Sequence, residues 1–115
     1  MGAKAPSPYR PVVEKQIKLY PVLIYGTTYC FWCVKAQQLF EMMKVGHHVI
    51  HLDKDPNGEE LSIALYEITG QNTVPYIFLG GKYLGGFSQL TQGLKSGSVQ
   101  DEFRRLNILF EDFSF

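Results

Sequence analysis

The hydrophobic residues of this chain follow two different periods, which divide it into helices and strands. Apolar residues three to four positions apart, as at Val13, Ile17 and Tyr20, predict amphipathic helices. This spacing, together with flanking proline, serine, asparagine and glycine residues, predicts helices that begin near residues 11, 30, 57, 88 and 98. Short runs rich in β-branched and aromatic residues predict strands at residues 21–25, 48–52, 75–79 and 82–84.

The order of these elements, α-β-α-β-α-β-β-α-α, predicts one α/β domain. Because the first two strands are joined through a helix, we expect them to be parallel. Gly80-Gly81 indicates a tight antiparallel hairpin between the last two strands. The result is a four-stranded mixed β-sheet flanked by helices on both faces. Residues 1–9 contain two prolines and few apolar side chains, so we expect a flexible N-terminal tail ahead of a domain over residues 10–115.

Composition and charge argue against several classes of function. The chain has 115 residues, with 11 Lys+Arg and 11 Asp+Glu, so its formal net charge is zero. Nucleic-acid-binding proteins usually carry a basic excess, and no apolar run approaches the roughly 20 residues that cross a bilayer. Cys30 and Cys33 are the only cysteines, and two cysteines without an apolar leader fit a reducing compartment. We expect a cytoplasmic monomer with no nucleic-acid or membrane partner.

The candidate chemistry lies in the tetrapeptide Cys30-Phe31-Trp32-Cys33, which follows a strand and opens a helix. At about 100° per residue, Cys33 lies roughly 60° and Cys30 roughly 120° from the centre of the buried helix face. Cys30 should therefore face solvent while Cys33 is half covered, and Trp32 should be partly buried on the apolar face. Unpaired N–H groups and the dipole at a helix N-terminus favour a thiolate. The pattern predicts a redox dithiol with Cys30 as its nucleophile.

Two metal sites compete with the redox interpretation. A zinc site would need two further ligands, but His47, His48 and His51 lie beside a different strand, where we expect exposed strand-edge residues. Residues 53–58 match the opening of a calcium-binding EF-hand loop, but its twelfth position is Ala64 instead of Glu. The sequence therefore predicts no metal site of either kind.

Three segments of the chain together resemble a dithiol glutaredoxin: residues 25–33 (YGTTYCFWC), 69–75 (TGQNTVP) and 80–86 (GGKYLGG). The resemblance spans about residues 12–110 and implies a thioredoxin-like fold. It also implies a cis Val74–Pro75 bond, which leaves the Val74 backbone free to pair with a peptide-like substrate. A helix start at Ser88 would bind a glutathione carboxylate through its free N–H groups. The glutathione site implied by the resemblance consists of Thr27, Trp32, Asn72, Thr73, Val74, Pro75, Gly86, Phe87, Ser88 and Gln89.

Several positions depart from the pattern of that family. Glutaredoxins usually have Lys or Arg at the position of Thr27, often a basic residue at that of Asn72, and an acidic residue at that of Gln89. Phe31-Trp32 stands where Pro-Tyr is common. Each missing charged contact is worth about 1 kcal/mol or more. The departures predict weaker glutathione binding or a different thiol partner.

The resemblance implies an enzyme, a glutathione-dependent thiol–disulfide oxidoreductase that acts on disulfide-containing or glutathionylated proteins. Cys30 would attack the substrate disulfide, and Cys33 or glutathione would resolve the mixed disulfide. Two alternatives stay open. One is a dimeric [2Fe–2S] carrier with Cys30 and a glutathione from each subunit as ligands, which Phe31 in place of proline permits. The other is a thioredoxin-like protein reductase fed by a flavoenzyme, with Phe31 and Trp32 as an apolar docking patch.

Overall fold

A computed structural model describes residues 7–112 of the chain, and its elements follow the predicted order. A four-stranded mixed sheet carries helices on both faces, so the predicted fold class is confirmed. Within residues 7–112, no helix is both long and apolar enough to span a bilayer. The elements are α1 (Arg10–Leu19), β1 (Val22–Gly26), α2 (Phe31–Met42), β2 (His48–His51), α3 (Gly58–Thr69), β3 (Tyr76–Leu79), β4 (Lys82–Gly85), α4 (Phe87–Ser96) and α5 (Ser98–Arg105).

The sheet has the strand order β2-β1-β3-β4. Strand β1 runs parallel to β2 and antiparallel to β3, and β3 pairs antiparallel with β4. The predicted parallel pair and the predicted hairpin are therefore both confirmed. Gly80 and Gly81 form the hairpin turn with φ angles of 58° and 83°, a left-handed region that favours glycine.

The central strand β1 divides the hydrophobic core into two halves. All five of its residues are buried, and alternate side chains point to opposite faces of the sheet. Val22 and Ile24 pack on the face covered by α2, α4 and α5, whereas Leu23 and Tyr25 pack on the face covered by α1 and α3. The C-terminal end of β1, at Gly26, is therefore fixed from both sides where the chain turns toward α2.

The start of α4 differs from the prediction. The helix begins at Phe87 with Gly86 as its N-cap residue, so Ser88 is the second helical residue and the cap predicted at Ser88 is wrong. The reason is the Gln89 side chain, whose Oε1 accepts a hydrogen bond of 2.8 Å from the Gly86 N–H. The Gln89 side chain therefore caps the helix at Gly86, two residues before the serine cap predicted at position 88.

The chain contacts α3 before α1 begins. The backbone N–H of Ser7 donates to both carboxylate oxygens of Glu67, at 3.0 and 3.1 Å, and the Tyr9 hydroxyl donates to Asn57 Oδ1. Ser7 and Tyr9, which belong to the predicted tail, therefore make defined contacts with α3 and its N-cap residue. The rest of that tail, residues 1–6, and residues 113–115 of the predicted domain lie outside the described residues.

Candidate active site

Two free thiols lie at the N-terminus of α2, directly after the central strand. Cys30 is the N-cap residue of the helix and is partly exposed, whereas Cys33 is only 3% exposed. The Sγ of Cys30 accepts a hydrogen bond of 3.2 Å from the Cys33 N–H. The predicted difference between an outer and an inner cysteine is present. Cys33 is more deeply buried than its helical position alone predicted, because the end of β1 covers it.

Gly26 provides the space that Cys33 occupies. A Cβ placed on Gly26 would lie 3.0 Å from Cys33 Cβ and 2.9 Å from Cys33 Sγ, and the second distance is closer than real Cβ contacts allow. Burial raises the pKa of the Cys33 thiol to about 12, and a hydrogen bond with Cys30 adds to the increase. The inner thiol is therefore neutral at physiological pH. The sequence reasoning missed Gly26, although a glycine between an apolar strand and a CxxC helix was a signal for a close approach.

The loop before Cys30 is held by the loop after β2. Asp53 accepts two hydrogen bonds from Thr28, one from its backbone N–H at 3.0 Å and one from its hydroxyl. The Leu52 N–H donates to the Gly26 carbonyl at 2.8 Å. The Thr28 hydroxyl, with its backbone N–H, lowers the pKa of the Asp53 carboxyl. Asp53 was predicted only as part of a turn, because nothing in the local sequence shows which loop lies beside it.

Exposed aromatic rings surround the outer cysteine. Phe31 is 62% and Trp32 53% exposed, and their rings meet edge to face with centroids 5.0 Å apart. Trp32 also lies against Phe87 of α4, at a centroid distance of 5.0 Å. Trp32 is exposed, so the predicted partial burial of this residue on its own helix face is wrong, and its ring instead contacts Phe87 of α4. Lys35 Nζ lies 5.3 Å from the centre of the Phe31 ring.

Two grooves meet at the segment before β3, where the Val74–Pro75 peptide bond is cis. Within residues 7–112, no backbone hydrogen bond outside the helices and strands engages Val74. One groove, of about 400 Å³, is lined by Gln71, Thr73, Val74, Pro75, Tyr83, Leu84, Gly85, Gly86 and Gln89. The other, of about 410 Å³, is lined by Trp32, Val74, Pro75, Phe87, Ser88 and Thr91.

The structure brings together most of the site residues named from the sequence. The groove beside β4 contains Thr73, Val74, Pro75, Gly86 and Gln89, and the groove beside α2 adds Trp32, Phe87 and Ser88. Asn72 is exposed but lines neither of these two grooves. Thr27 is buried, and its Oγ1 has no hydrogen-bond partner among the described residues. Thr27 therefore lines neither groove, and its hydroxyl is buried.

Comparisons with known proteins agree with this arrangement. The family model described as glutaredoxin matches residues 22–84. The chain is 33% identical to glutaredoxin-C4 of Arabidopsis thaliana over 99 residues, which cover 86% of this chain and 73% of that protein. It is 46% identical to glutaredoxin-C6 of Oryza sativa subsp. japonica over 66 residues, 57% of this chain and 59% of that protein.

Solved structures give the same result. A buckwheat glutaredoxin, in a crystal structure described as its complex with glutathione, superposes with a TM-score of 0.84 at 26% identity, covering 87% of this chain and 91% of that one. A wheat glutaredoxin gives a TM-score of 0.82 at 30% identity, with coverages of 85% and 92%. The match of the family model across more than half of the chain, the pair of cysteines at the helix start and the shared fold show that this chain belongs to the glutaredoxin family of oxidoreductases.

Proposed function

We propose that this chain reduces protein disulfides and glutathione mixed disulfides, with glutathione as its reductant. The observation that carries the proposal is the pairing of a partly exposed Cys30 with a buried Cys33, whose backbone N–H donates to the Cys30 sulfur. That hydrogen bond and the helix N-terminus stabilise negative charge on Cys30. Cys30 is therefore the nucleophile of the pair and Cys33 the resolving thiol.

The reaction begins when the Cys30 thiolate attacks a glutathione–protein mixed disulfide. A bond forms between Cys30 and the glutathione sulfur, and the protein leaves as a thiolate that takes a proton from water. A second glutathione, as its thiolate, then attacks the mixed disulfide. Oxidised glutathione leaves and the Cys30 thiolate is regenerated, so each turnover consumes one free glutathione thiol and releases one protein thiol.

A protein disulfide requires the second cysteine. Attack by Cys30 links it to one substrate sulfur, and Cys33 then displaces that sulfur to form the Cys30–Cys33 disulfide. The hydrogen bond with Cys30 and the negative charge on Cys30 both raise the pKa of Cys33, after burial as the largest cause. Both effects disappear once Cys30 is in a mixed disulfide. Cys33 therefore becomes easier to ionise at the step that needs its thiolate, and two glutathione thiols then reduce the pair.

Glutathione is assigned to the groove beside β4. The free backbone of Val74 can pair with the cysteine unit of a tripeptide, and the N-terminus of α4 offers unpaired N–H groups to a carboxylate. A related buckwheat protein was crystallised with glutathione, which supports the same ligand here. The neutral Asn72 and Gln89 supply no ionic contact, so we expect weaker binding of glutathione than in glutaredoxins with charged residues at these positions.

Cysteine variants test the proposal. We expect Cys30→Ser to abolish turnover of a glutathionylated peptide in an assay coupled to glutathione reductase. Cys33→Ser should keep that activity but lose reduction of a protein disulfide. Residual activity in Cys30→Ser would exclude Cys30 as the nucleophile. Faster reduction by a thioredoxin-type flavoenzyme reductase than by glutathione would instead favour the thioredoxin-like alternative.

An iron–sulfur carrier is the competing proposal. Within residues 7–112, one chain does not bring together three His, Cys, Asp or Glu side chains that could hold a metal. As the resemblance to dithiol glutaredoxins implies, a [2Fe–2S] cluster would be held by Cys30 of two copies and by two glutathione thiols. The partly exposed Cys30 and the exposed Phe31 beside it leave this surface open to a second copy. A brown dimer with visible absorption after anaerobic purification with glutathione would support this function, and a colourless monomer would oppose it.

A further inference from the structure

Part of the surface around Cys30 lies outside the glutathione site. The groove beside β4 and the groove beside α2 share Val74 and Pro75 and both reach the start of α4, so both belong to the glutathione half of a mixed disulfide. The two chain neighbours of Cys30, Tyr29 and Phe31, line neither groove and are 80% and 62% exposed. The protein half of the disulfide shares the S–S bond at Cys30, so we expect it to cover Tyr29 and Phe31.

A lysine lies beside this uncovered surface. Lys35 is the only charged residue from position 27 to position 40, and its Nζ is 5.3 Å from the centre of the Phe31 ring. Phe31 and Lys35 are four residues apart on α2, so they share one face of the helix. Lys35 is exposed, and no salt bridge within residues 7–112 includes it. Its charge is therefore available to a bound partner.

Negative charge lies instead beside Thr28, two residues before Cys30. Asp53 accepts hydrogen bonds from the backbone N–H and the hydroxyl of Thr28, and Lys54 offsets part of its charge. The charges around the nucleophile are therefore not distributed symmetrically. A substrate carboxylate should be attracted where the protein half meets Lys35, and it gains no such contact beside Asp53.

The expected contact is an exposed ion pair. A carboxylate beside the substrate cysteine would meet Lys35, whereas a cationic residue there would be repelled. The Phe31 ring attracts the ammonium group and also gives the substrate an apolar surface to pack on. Exposed pairs are weak, so the effect on kcat/KM should be about two- to fivefold. A weak contact suits a substrate that leaves as soon as its sulfur is released.

We propose that Lys35 selects protein substrates that carry a carboxylate beside the glutathionylated cysteine. This inference rests on the proposed function, because it concerns the protein half of the same mixed disulfide. Lys35 is then a specificity-determining residue, since it meets the flank of the substrate and not the reacting sulfur atoms. The partner that fits the surface formed by Tyr29, Phe31 and Lys35 is a substrate polypeptide with an acidic flank.

Glutathionylated peptides that differ in one residue test the proposal. In one pair the residue directly before the cysteine is Glu or Gln, and in a second pair the residue directly after it varies in the same way. The readout is the ratio of the kcat/KM values for Glu and Gln within each pair. We expect Glu to be favoured about two- to fivefold in at least one pair, and added salt should reduce the preference.

Variants of Lys35 assign the preference to this side chain. Lys35→Gln should bring the ratio in the selective pair to about one, and Lys35→Glu should bring it below one. Lys35→Arg keeps the charge and should keep the preference. Lys95→Gln is the matched control, because it removes an exposed cation from the last turn of α4 and should leave the ratio unchanged. A change in the reactivity of Cys30 acts equally on both peptides of a pair, so it cancels in the ratio.

The outcomes separate the two proposals. If no peptide is deglutathionylated, the proposed function itself fails. If the peptides are reduced and neither pair shows a preference for Glu, the function stands and the selection by charge is refuted. A preference for Glu that survives Lys35→Gln would place the selecting cation elsewhere and overturn the assignment to Lys35.

Discussion

Gly26 and Cys33 lie so close together that position 26 has no room for a side chain. A Cβ on Gly26 would lie 2.9 Å from Cys33 Sγ, and the end of the central strand covers the inner thiol. This close approach contributes to the burial of Cys33, and burial is the largest cause of the increase in its pKa. The redox pair therefore depends on a strand residue that carries no chemistry of its own.

Substitution of Gly26 by alanine should displace Cys33. We expect Gly26→Ala to lower the free energy of unfolding by about 1–3 kcal/mol, because an added methyl group in a packed site forces its neighbours to move. Urea denaturation measures this cost. In a Cys33→Ala background the sulfur is absent, so the same substitution should cost at least about 1 kcal/mol less.

Gly46→Ala is the control for the glycine substitution. A Cβ on Gly46 would have no atom within 4 Å, so we expect a change within about 0.5 kcal/mol. Equal costs for Gly26→Ala with and without the Cys33 sulfur would show that the strain arises somewhere other than in this contact.

The acidity of Cys33 should be visible in its reactivity. Burial raises the pKa of Cys33 from an ordinary value of 9.0 to about 12, so its thiol is protonated at neutral pH. In a Cys30→Ser variant, burial persists while the contribution of Cys30 is lost. We therefore expect alkylation of Cys33 to be slow at pH 7 and to increase well above pH 9. Fast alkylation of Cys33 at pH 7 would contradict the burial seen here.

The same shift links stability to pH. Because the folded protein holds the Cys33 proton more tightly than the unfolded chain does, this contribution to stability is complete below about pH 9 and is lost as the pH rises toward 12. Between pH 8 and 10, the free energy of unfolding should therefore fall more steeply for the unmodified protein than for Cys33→Ser. Identical slopes would show that Cys33 does not titrate differently in the folded state.

The sequence was sufficient for the architecture because the relevant signals are local. The apolar spacing at Val13 and Ile17, the run from Val22 and the glycine pair at the hairpin each determine one element. The parallel pairing then follows from connectivity. The outer position of Cys30 was also predictable, since it depends only on the start of one helix.

Long-range contacts were not predictable in the same way. The bond from Asp53 to Thr28 joins residues 25 positions apart, and the Trp32 ring contacts Phe87, 55 positions later in the chain. A helical projection places Trp32 on the apolar face of α2 but does not show that α4 supplies its partner. Likewise, the cap predicted at Ser88 failed because the Gln89 side chain bonds Gly86.

Asp53 should act as a positioning residue for the loop that carries Cys30. Asp53→Ala removes both hydrogen bonds to Thr28, and we expect kcat/KM to fall about tenfold, because small displacements of a reacting atom are costly. Asp53→Asn keeps one acceptor oxygen, so its kcat/KM should lie between those of Asp53→Ala and the unmodified protein. These bonds lower the pKa of the Asp53 carboxyl below its ordinary value of 3.8. The bonds to the ionised carboxylate should therefore persist at pH 3.8 and above, and they should be lost as the pH falls through the lowered pKa.

Asp55→Ala controls for the loop as a whole. Asp55 accepts a hydrogen bond of 2.8 Å from the Asn57 N–H in the same loop, whereas the side-chain bonds of Thr28 go to Asp53. Its loss should leave kcat/KM nearly unchanged. If Asp53→Ala and Asp55→Ala impair activity equally, the effect belongs to loop order in general and not to the bond with Thr28. The rate of Cys30 alkylation in each variant distinguishes a misplaced nucleophile from a loss of folded protein.

A negative charge at position 89 should strengthen glutathione binding. Gln89 lines the groove beside β4 and is neutral, so the amino group of a bound glutathione has no ionic partner there. Gln89→Asp should lower the KM for glutathione about tenfold, as expected for a charge-assisted hydrogen bond, and added salt should reduce the gain. Gln92→Asp serves as the control. Gln92 lies one turn further along α4, at an exposed position outside both grooves. An unchanged or higher KM in Gln89→Asp, with stability intact, would place the glutathione amino group away from the N-terminus of α4.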